Sequence, residues 1–500
     1  MSTPLQLAEL GHPVEGHGPW PRSVVDAIAW RSAIQALEDQ TCVLLGLWGE
    51  RNFVHMAVIG GDFAAPAVLS LAARRGRFPS VGARHAPAIR LERTIRDLYG
   101  LEAEGALDSR PWLDHGRWPD RHPLGAATPA PAAAPYPFLA SEGEGLCQIP
   151  VGPVHAGIIE PGHFRFTTCG ETIVRLEERL GYLHRGLEAR MAGASLDHAA
   201  ALAGRACGDS TVAYQIAFAR AAEAALGLEA PPRAHWLRAM MGELERLANH
   251  LGDIGAVCND AAFALMHAHC ARLRETVLRA CGAAFGHRLM MDCVVPGGVA
   301  VDLAPAGEAA VRAVVATIRE RFPTLVALYD DTASIQDRTV GTGVVAGDLV
   351  RRFGAGGFVG RASGRAFDAR RALPYPPYDT LTFETPVREA GDVDARLWIR
   401  IEEVGQILSL LDQLLAGLPP GPLRIEPPTA SGEGVALVEG FRGDILVWLR
   451  IEAGAVARCS LRDPSWFQWP LLEAAIQGNI VADFPLCNKS FNCAYAGVDL

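Results

Sequence analysis

No two of the eleven cysteines in this 500-residue chain are spaced as Cys-x-x-Cys. That absence weighs against zinc ribbons and against ferredoxin-type iron–sulfur clusters. In a reducing compartment most of these thiols are expected to be small buried apolar side chains. No cluster of five or more Lys and Arg occurs, and the net charge is −10. Nucleic acid is therefore not expected as a partner. No apolar run approaches the roughly 18 residues that span a bilayer. The longest uncharged stretch, Gly125 to Ser141, is rich in Pro and Ala and cannot form a spanning helix. The opening MSTPLQLAELGHPVEGHGPW lacks the basic start and apolar segment of an export signal, so a cytoplasmic location is the default expectation. No G-x-G-x-x-G follows a strand, which removes the nucleotide-binding folds that use it, and no repeat of 20–50 residues is found.

What is present is a globular composition, with 49% hydrophobic and 20% charged residues. Five hundred residues is too long for one ordinary core, so two domains are expected. Residues 1–124 read as a small α+β unit. In it, TCVLLGLWGE and FVHMAVIGG form two strands around Glu50–Asn52, and ERTIRDLYG closes a helix at Gly100. Residues 125–145 form a Pro/Ala linker. Residues 146–500 read as a large, mainly helical bundle with small β additions, giving an α+β chain overall. In ETIVRLEERLGYLHRGLEARM the apolar residues Ile173, Leu176, Leu180, Leu183, Leu187 and Met191 recur every three or four positions, the mark of an amphipathic helix. HWLRAMMGELERLANHLGDI and DARLWIRIEEVGQILSLLDQLL repeat that pattern, and GDILVWLRIEAGAVARCSL reads as two strands around Gly454.

GRACGDSTVAY, Gly204 to Tyr214, looks like half of a metal site. It offers the thiol of Cys207, and three residues on, where a second belongs, stands Ser210. The segments GPVHAGIIEPGHFRF, EERLGYLHRGLE, ELERLANHLGDIGAV, GHRLMMDCVVPGGV, RASGRAFDARRALPYPPY, GDVDARLWIRIEEV, EGFRGDI and DPSWFQWP occur in one order along residues 150–500. In that order they resemble the large subunit of membrane-bound, energy-converting NiFe hydrogenases of the formate hydrogenlyase type. They equally resemble its relative, the quinone-site subunit of respiratory complex I, the NADH–quinone oxidoreductase. ERTIRDLYG, WLDHGRWP and RHPL in the first unit resemble the smaller complex I subunit that docks on it.

The resemblance implies four thiolate ligands for nickel and iron, from R-x-C-G-x-C and from a second pair near the C-terminus; soft anionic sulfur suits those metals. Here Arg205 and Cys207 keep the first motif, but Ser210 replaces its second thiol. Ala494 and Gly497 stand where the terminal pair aligns, with Cys493 one position early. One ligand of four remains, so a NiFe centre is not expected. A zinc site from Cys207, Cys493 and Asp209 is conceivable chemically but lacks ligand-like local spacing. The resemblance also implies a cavity. His155 matches the histidine of the complex I GPxHP loop, although Ala156 replaces the following Pro, and Glu160 matches the hydrogenase glutamate that passes protons. His155, Glu160 and Asp209 are the expected catalytic groups, and His155, His163, Cys207, Asp209 and Ser210 the expected substrate contacts. Arg205, Glu243, Arg246 and His250 are expected to support them. Glu243, Arg246, His250 and Asp253 form one polar stripe of a helix, either a solvated face or, as the resemblance implies, a buried and paired one. Arg361, Asp368 and Arg371 are expected to pair structurally.

The resemblance implies a cytoplasmic, peripheral subunit of a membrane-bound redox complex. An iron–sulfur partner subunit would supply electrons, and integral membrane partners would receive the coupling. A quinone or another small acceptor would react by proton-coupled electron transfer. The rival reading is a scaffold without chemistry, favoured if Trp466, Phe467 or Tyr495 plugs the cavity.

Overall fold

A computed structural model describes residues 3–129, 134–157 and 159–500. Near the N-terminus a five-stranded sheet runs in the order His12–Pro13, Arg22–Val25, Ala67–Ala72, Phe53–Gly60 and Cys42–Gly49. Cys42–Gly49 and Phe53–Gly60 pair as the expected antiparallel hairpin. The helix Ala27–Glu38 begins where the Asp26 carboxylate accepts the N–H groups of Ile28 and Ala29. The helix Ile89–Tyr99 ends at Gly100, whose φ of 71° is the left-handed conformation a C-terminal glycine adopts cheaply.

The segment 171–191 departs from the helical expectation. Thr172–Arg179 is a strand, paired with His163–Cys169 in a three-stranded sheet completed by Leu146–Val151. Only Leu187–Met191 is helical. Thr172, Ile173 and Val174 are β-branched and suit a pleated surface. Gly181 (φ 92°) and Gly186 (φ 64°) then turn the chain in a conformation no α-helix contains. Residues 130–133, inside the expected linker, lie outside the described residues. Beyond them Tyr136 and Phe138 pack on this sheet, with the Arg179 and Arg165 guanidinium groups over their rings at 4.3 and 3.9 Å.

Five long helices, Thr211–Leu226, Pro232–Asp260, Ala264–Phe285, Pro305–Asp331 and Val393–Gly417, build the bundle. On Pro232–Asp260 the periodic residues Leu237, Met240, Leu244, Leu247, Leu251 and Ile254 are all fully buried. Each such side chain contributes about 1.5–3 kcal/mol over its exposed state, so this stripe fixes the helix at the bundle centre. The meander Gly432–Gly440, Gly443–Glu452 and Ala455–Arg462 packs against the helix Thr211–Leu226, turning at Gly454 as the sequence indicates. A fourth strand comes from far away in the chain: His17–Gly18 adds in parallel to Glu433–Gly434. A second core joins Trp30 and Trp112 to Phe164, Trp466, Trp469 and Phe491. Among the described residues no helix is long and apolar enough to cross a membrane.

Candidate functional site

The stretch Arg205–Ser210 connects the helix Leu196–Ala203 to Thr211–Leu226, so Cys207, Asp209 and Ser210 sit at a helix entrance. Ser210 precedes that helix but makes no side-chain cap. The buried first-turn N–H groups of Val212 and Ala213 donate instead to Glu245, at 2.7 and 3.1 Å. The turn between Gly432–Gly440 and Gly443–Glu452 carries Arg442, which reaches the same place. Its guanidinium grips Asp209 in two-pronged fashion, Nη1 to Oδ1 at 2.6 Å and Nη2 to Oδ2 at 2.5 Å. The Cys207 thiol donates to Asp209 Oδ1 at 2.9 Å, with Arg442 Nη1 3.7 Å from the sulfur. Arg442 Nε donates to the Asn492 carbonyl, and Asn492 Nδ2 donates to Asp253, which pairs with Arg400 at 3.1 Å.

Electrostatics follow from that geometry. Burial would raise the Asp209 carboxyl, but the Arg442 guanidinium outweighs it and holds the group below the usual carboxylate range. Burial pushes the Cys207 thiol well up, and the neighbouring Asp209 charge adds to the effect, so the sulfur keeps its proton. Cys493 is pushed up by burial too. Glu245, which the sequence reading passed over, is desolvated and raised to about 8 despite its two backbone donors. Asp209, Gly208, Glu245, Asn249, Arg274 and Cys281 line a cavity of about 180 Å³. At neutral pH this cavity sets a protonated carboxyl beside an ionised one.

The C-terminal positions are packed shut. Ala494 donates its N–H to Ser465 Oγ at 2.9 Å, and its carbonyl accepts from the Trp469 indole at 3.0 Å. A Cβ on Gly497 would lie 2.5 Å from Asp463 Oδ2, the atom that accepts the Tyr214 hydroxyl at 2.6 Å. Among the described residues no group of three His, Cys, Asp or Glu side chains is arranged to hold a metal.

His155, Glu160 and His163 lie elsewhere, on and beside the loop before the strand His163–Cys169, and Glu160 reaches the C-terminal segment. His155 Nε2 meets the Gly162 carbonyl at 2.8 Å, His163 Nδ1 meets the Gly152 carbonyl at 3.2 Å, and Glu160 accepts the Ala496 N–H at 3.2 Å. Burial lowers the His163 imidazole from its ordinary value. Tyr495 closes the space beside them, its ring 4.8 Å from Trp469 and 6.4 Å from Phe164. Gly162 is small because the Tyr495 ring lies 2.6 Å from where its Cβ would be.

Arg205 points away, to Asp292 at 2.7 Å near the surface. Glu243, Arg246, His250 and Asp253 are buried, as the paired alternative required. Their partners come from distant segments. His250 meets Glu403 at 2.5 Å, Arg361 bonds Glu403 and Glu439, and Arg370 joins Glu243 at 2.8 Å to Asp368 at 2.6 Å. Arg361 also lies 3.9 Å from Asp368, whereas Arg371 bonds the Phe383 carbonyl.

Residues 185–252 match the family described as nickel-dependent hydrogenase, and residues 260–431 match that of the respiratory-chain NADH dehydrogenase 49 Kd subunit. The chain is 33% identical over 442 residues to formate hydrogenlyase subunit 5 of Escherichia coli (strain K12), over 85% of this chain and 78% of that protein. It belongs to the family of oxidoreductase large subunits that unites these hydrogenases with the NADH dehydrogenase subunit. Within that family it is 31% identical to the carbon monoxide-induced hydrogenase of Rhodospirillum rubrum, over 69% of this chain and 96% of that protein. A solved chain of an archaeal membrane-bound sulfane sulfur reductase superposes with a TM-score of 0.67 at 26% identity, over 71% of this chain and 99% of that one.

Proposed function

We propose that this chain is the peripheral large subunit of a membrane-bound oxidoreductase complex and works without a nickel–iron centre. The observation that carries the reading is the donor set. Cys207, Ser210, Ala494 and Gly497 offer one thiol where four thiolates are needed, and Arg442 and Asp209 engage that thiol. Neutral hydroxyl, methyl and hydrogen substituents cannot bridge two soft metals, so these residues do not fit the centre.

The chemistry left to this chain is proton supply beside a fixed ion pair. Glu245 gives a proton from the cavity wall. The Arg442–Asp209 pair, restrained by Cys207 and Asn492, holds a polar acceptor group by charge and hydrogen bonding. Electrons arrive from an iron–sulfur partner subunit, and membrane subunits receive the coupling. The acceptor is a quinone or another small oxidant; sulfane sulfur belongs in that class because a solved relative comes from a sulfane sulfur reductase. Residues 1–124 serve as a docking unit, and residues 125–145 as its connection to residues 146–500. His155 and Glu160, on the loop that leads into the strand His163–Cys169, and His163 at its start contribute proton-active groups at a second location.

Metal analysis of the purified native complex tests this. Iron is expected in the partner's amounts with no nickel, and nickel near one equivalent per chain would restore hydrogen chemistry. A second reading, a scaffold without a substrate, is favoured by one observation: Tyr495 packs its ring against Trp469, Phe164 and Gly162 and fills the space beside the His155 loop. Loss of acceptor reduction in Glu245→Gln and Asp209→Asn complexes that assemble normally would decide for the enzyme, and unchanged turnover would decide for the scaffold.

A further inference from the structure

A larger cavity lies apart from the Asp209 site and shares no lining residue with it. It has a volume of about 370 Å³ and opens where the N-terminal unit meets the bundle and the C-terminal sheet. Its walls are aromatic: Trp48, Tyr99, Trp118, Trp448 and Trp466 come from five separate segments. Most of the remaining lining is leucine, proline and glycine.

Into this apolar space projects one buried acid. Glu188, on the short helix Leu187–Met191, is 8% exposed and accepts the Leu461 N–H at 3.0 Å. No ion pair with Glu188 is found among the described residues. Buried carboxylates are ordinarily paired, because an uncompensated charge costs several kcal/mol to desolvate. The nearby cations are all engaged elsewhere. Arg462 bonds the Leu45 carbonyl and Asp444, Arg185 bonds the Arg205 and Ala206 carbonyls, and Arg458 bonds the Leu124 carbonyl. The other ionisable groups facing Glu188 are Tyr99 and Cys459, both neutral at physiological pH. His184 in the lining is lowered by burial and also neutral there, and Asp120 stands exposed at the mouth.

We propose that this cavity binds an organic cation with an apolar body, its ammonium group set against Glu188 and among the indole and phenol rings. Aromatic faces attract a cation through their quadrupole, and the effect grows when water is excluded. A cationic ligand supplies the counter-ion that the protein withholds, while the leucine walls take up its hydrocarbon part.

The empty site holds Glu188 protonated up to about 7, because burial raises it against weaker help from Leu461, Ser460 and Arg458. Seating a cation favours the ionised carboxyl, so binding releases a proton and tightens as pH rises. With Glu188 half-ionised near pH 7, affinity is expected to rise roughly tenfold between pH 6 and pH 8.

The test uses the full chain and benzyltrimethylammonium, whose charge does not change with pH, in calorimetric titrations at pH 6 and pH 8. Saturable binding that strengthens on the alkaline side, with proton release, is the expected result. Glu188→Gln should abolish both the binding and its pH dependence. Ala189→Trp, which fills the mouth from an exposed position, should abolish binding even if the Gln variant folds poorly. Absence of binding at millimolar probe overturns the proposal. So does equal affinity at the two pH values, undiminished binding in Ala189→Trp, or benzyl alcohol binding as tightly as the cation.

Discussion

Replacing Arg442 by methionine tests the site most directly, because it removes one charge and leaves its partner. Arg442 keeps only 4% of its side-chain surface exposed, whereas Asp209 keeps 33%. Breaking a buried ion pair costs about 3–5 kcal/mol, because the remaining charge is stranded. Water can reach the orphaned Asp209 carboxylate over a third of its surface, so Arg442→Met should fall near the low end, about 3 kcal/mol. Asp209→Asn strands the more deeply buried guanidinium, with Asp463 as its remaining charged neighbour, and should cost about 4 kcal/mol. The double variant strands neither charge and loses only hydrogen bonds and packing, about 2 kcal/mol. Urea unfolding of the four proteins at pH 7 should therefore show a double variant more stable than either single one. Single-variant costs that add to within about 0.5 kcal/mol would refute the pairing. Acid gives a second check. Without Arg442 the Asp209 carboxyl rises above its unfolded value. The variant then gains stability relative to the parent as pH falls from 7 towards 4, and the gap between them should narrow.

Glu245→Gln should gain on the parent as pH rises. The folded carboxyl is raised to about 8, so its stabilising proton is fully present below the unfolded value near 4 and lost as pH climbs through 8. Unfolding curves should show the difference change by on the order of 1 kcal/mol per unit between pH 5 and 8 and level off above. In native protein, N-ethylmaleimide should label Cys147 and Cys169 readily while the other nine thiols, Cys207 and Cys493 included, react only after denaturation, as peptide mass mapping would record. Gly497→Cys should not rebuild a metal ligand. Its Cβ would press on Asp463, lowering stability by about 1–3 kcal/mol, and nickel uptake by that variant would contradict the packing described. Arg361→Leu removes the guanidinium that Glu403 and Glu439 share, leaving them only His250 and the Ala369 N–H, and soluble yield should fall sharply.

The long helices were legible in the sequence because their burial follows a single period. Pro232–Asp260 and Val393–Gly417 each carry one wide apolar stripe, and the hairpin around Glu50–Asn52 is equally plain. The segment 171–191 misled because Ile173 and Leu176 satisfy a helical spacing while lying on a strand. Only the partner strand His163–Cys169 decides between the two. In the site, Cys207, Asp209 and Ser210 were marked by their motif. Arg442 was not singled out, since its meaning depends on a turn 233 residues from Asp209. Glu245 lies off the polar stripe of its own helix, and nothing local signals that it serves the neighbouring helix entrance. The burial of Glu243, Arg246 and His250 could not be chosen from spacing, because Arg370, Glu403 and Arg361 sit far along the chain.

The pairing of His17–Gly18 with Glu433–Gly434 also bears on how the molecule is made. The two partners are 416 residues apart. At roughly 5–20 residues per second of synthesis, the early segment waits about 20–80 s before its neighbour leaves the ribosome. Throughout that interval the N-terminal sheet exists without its seam to the rest, and the second core lacks Trp466, Trp469 and Phe491. Final closure is thus a late event in the life of the nascent chain, when both ends are at last available to each other.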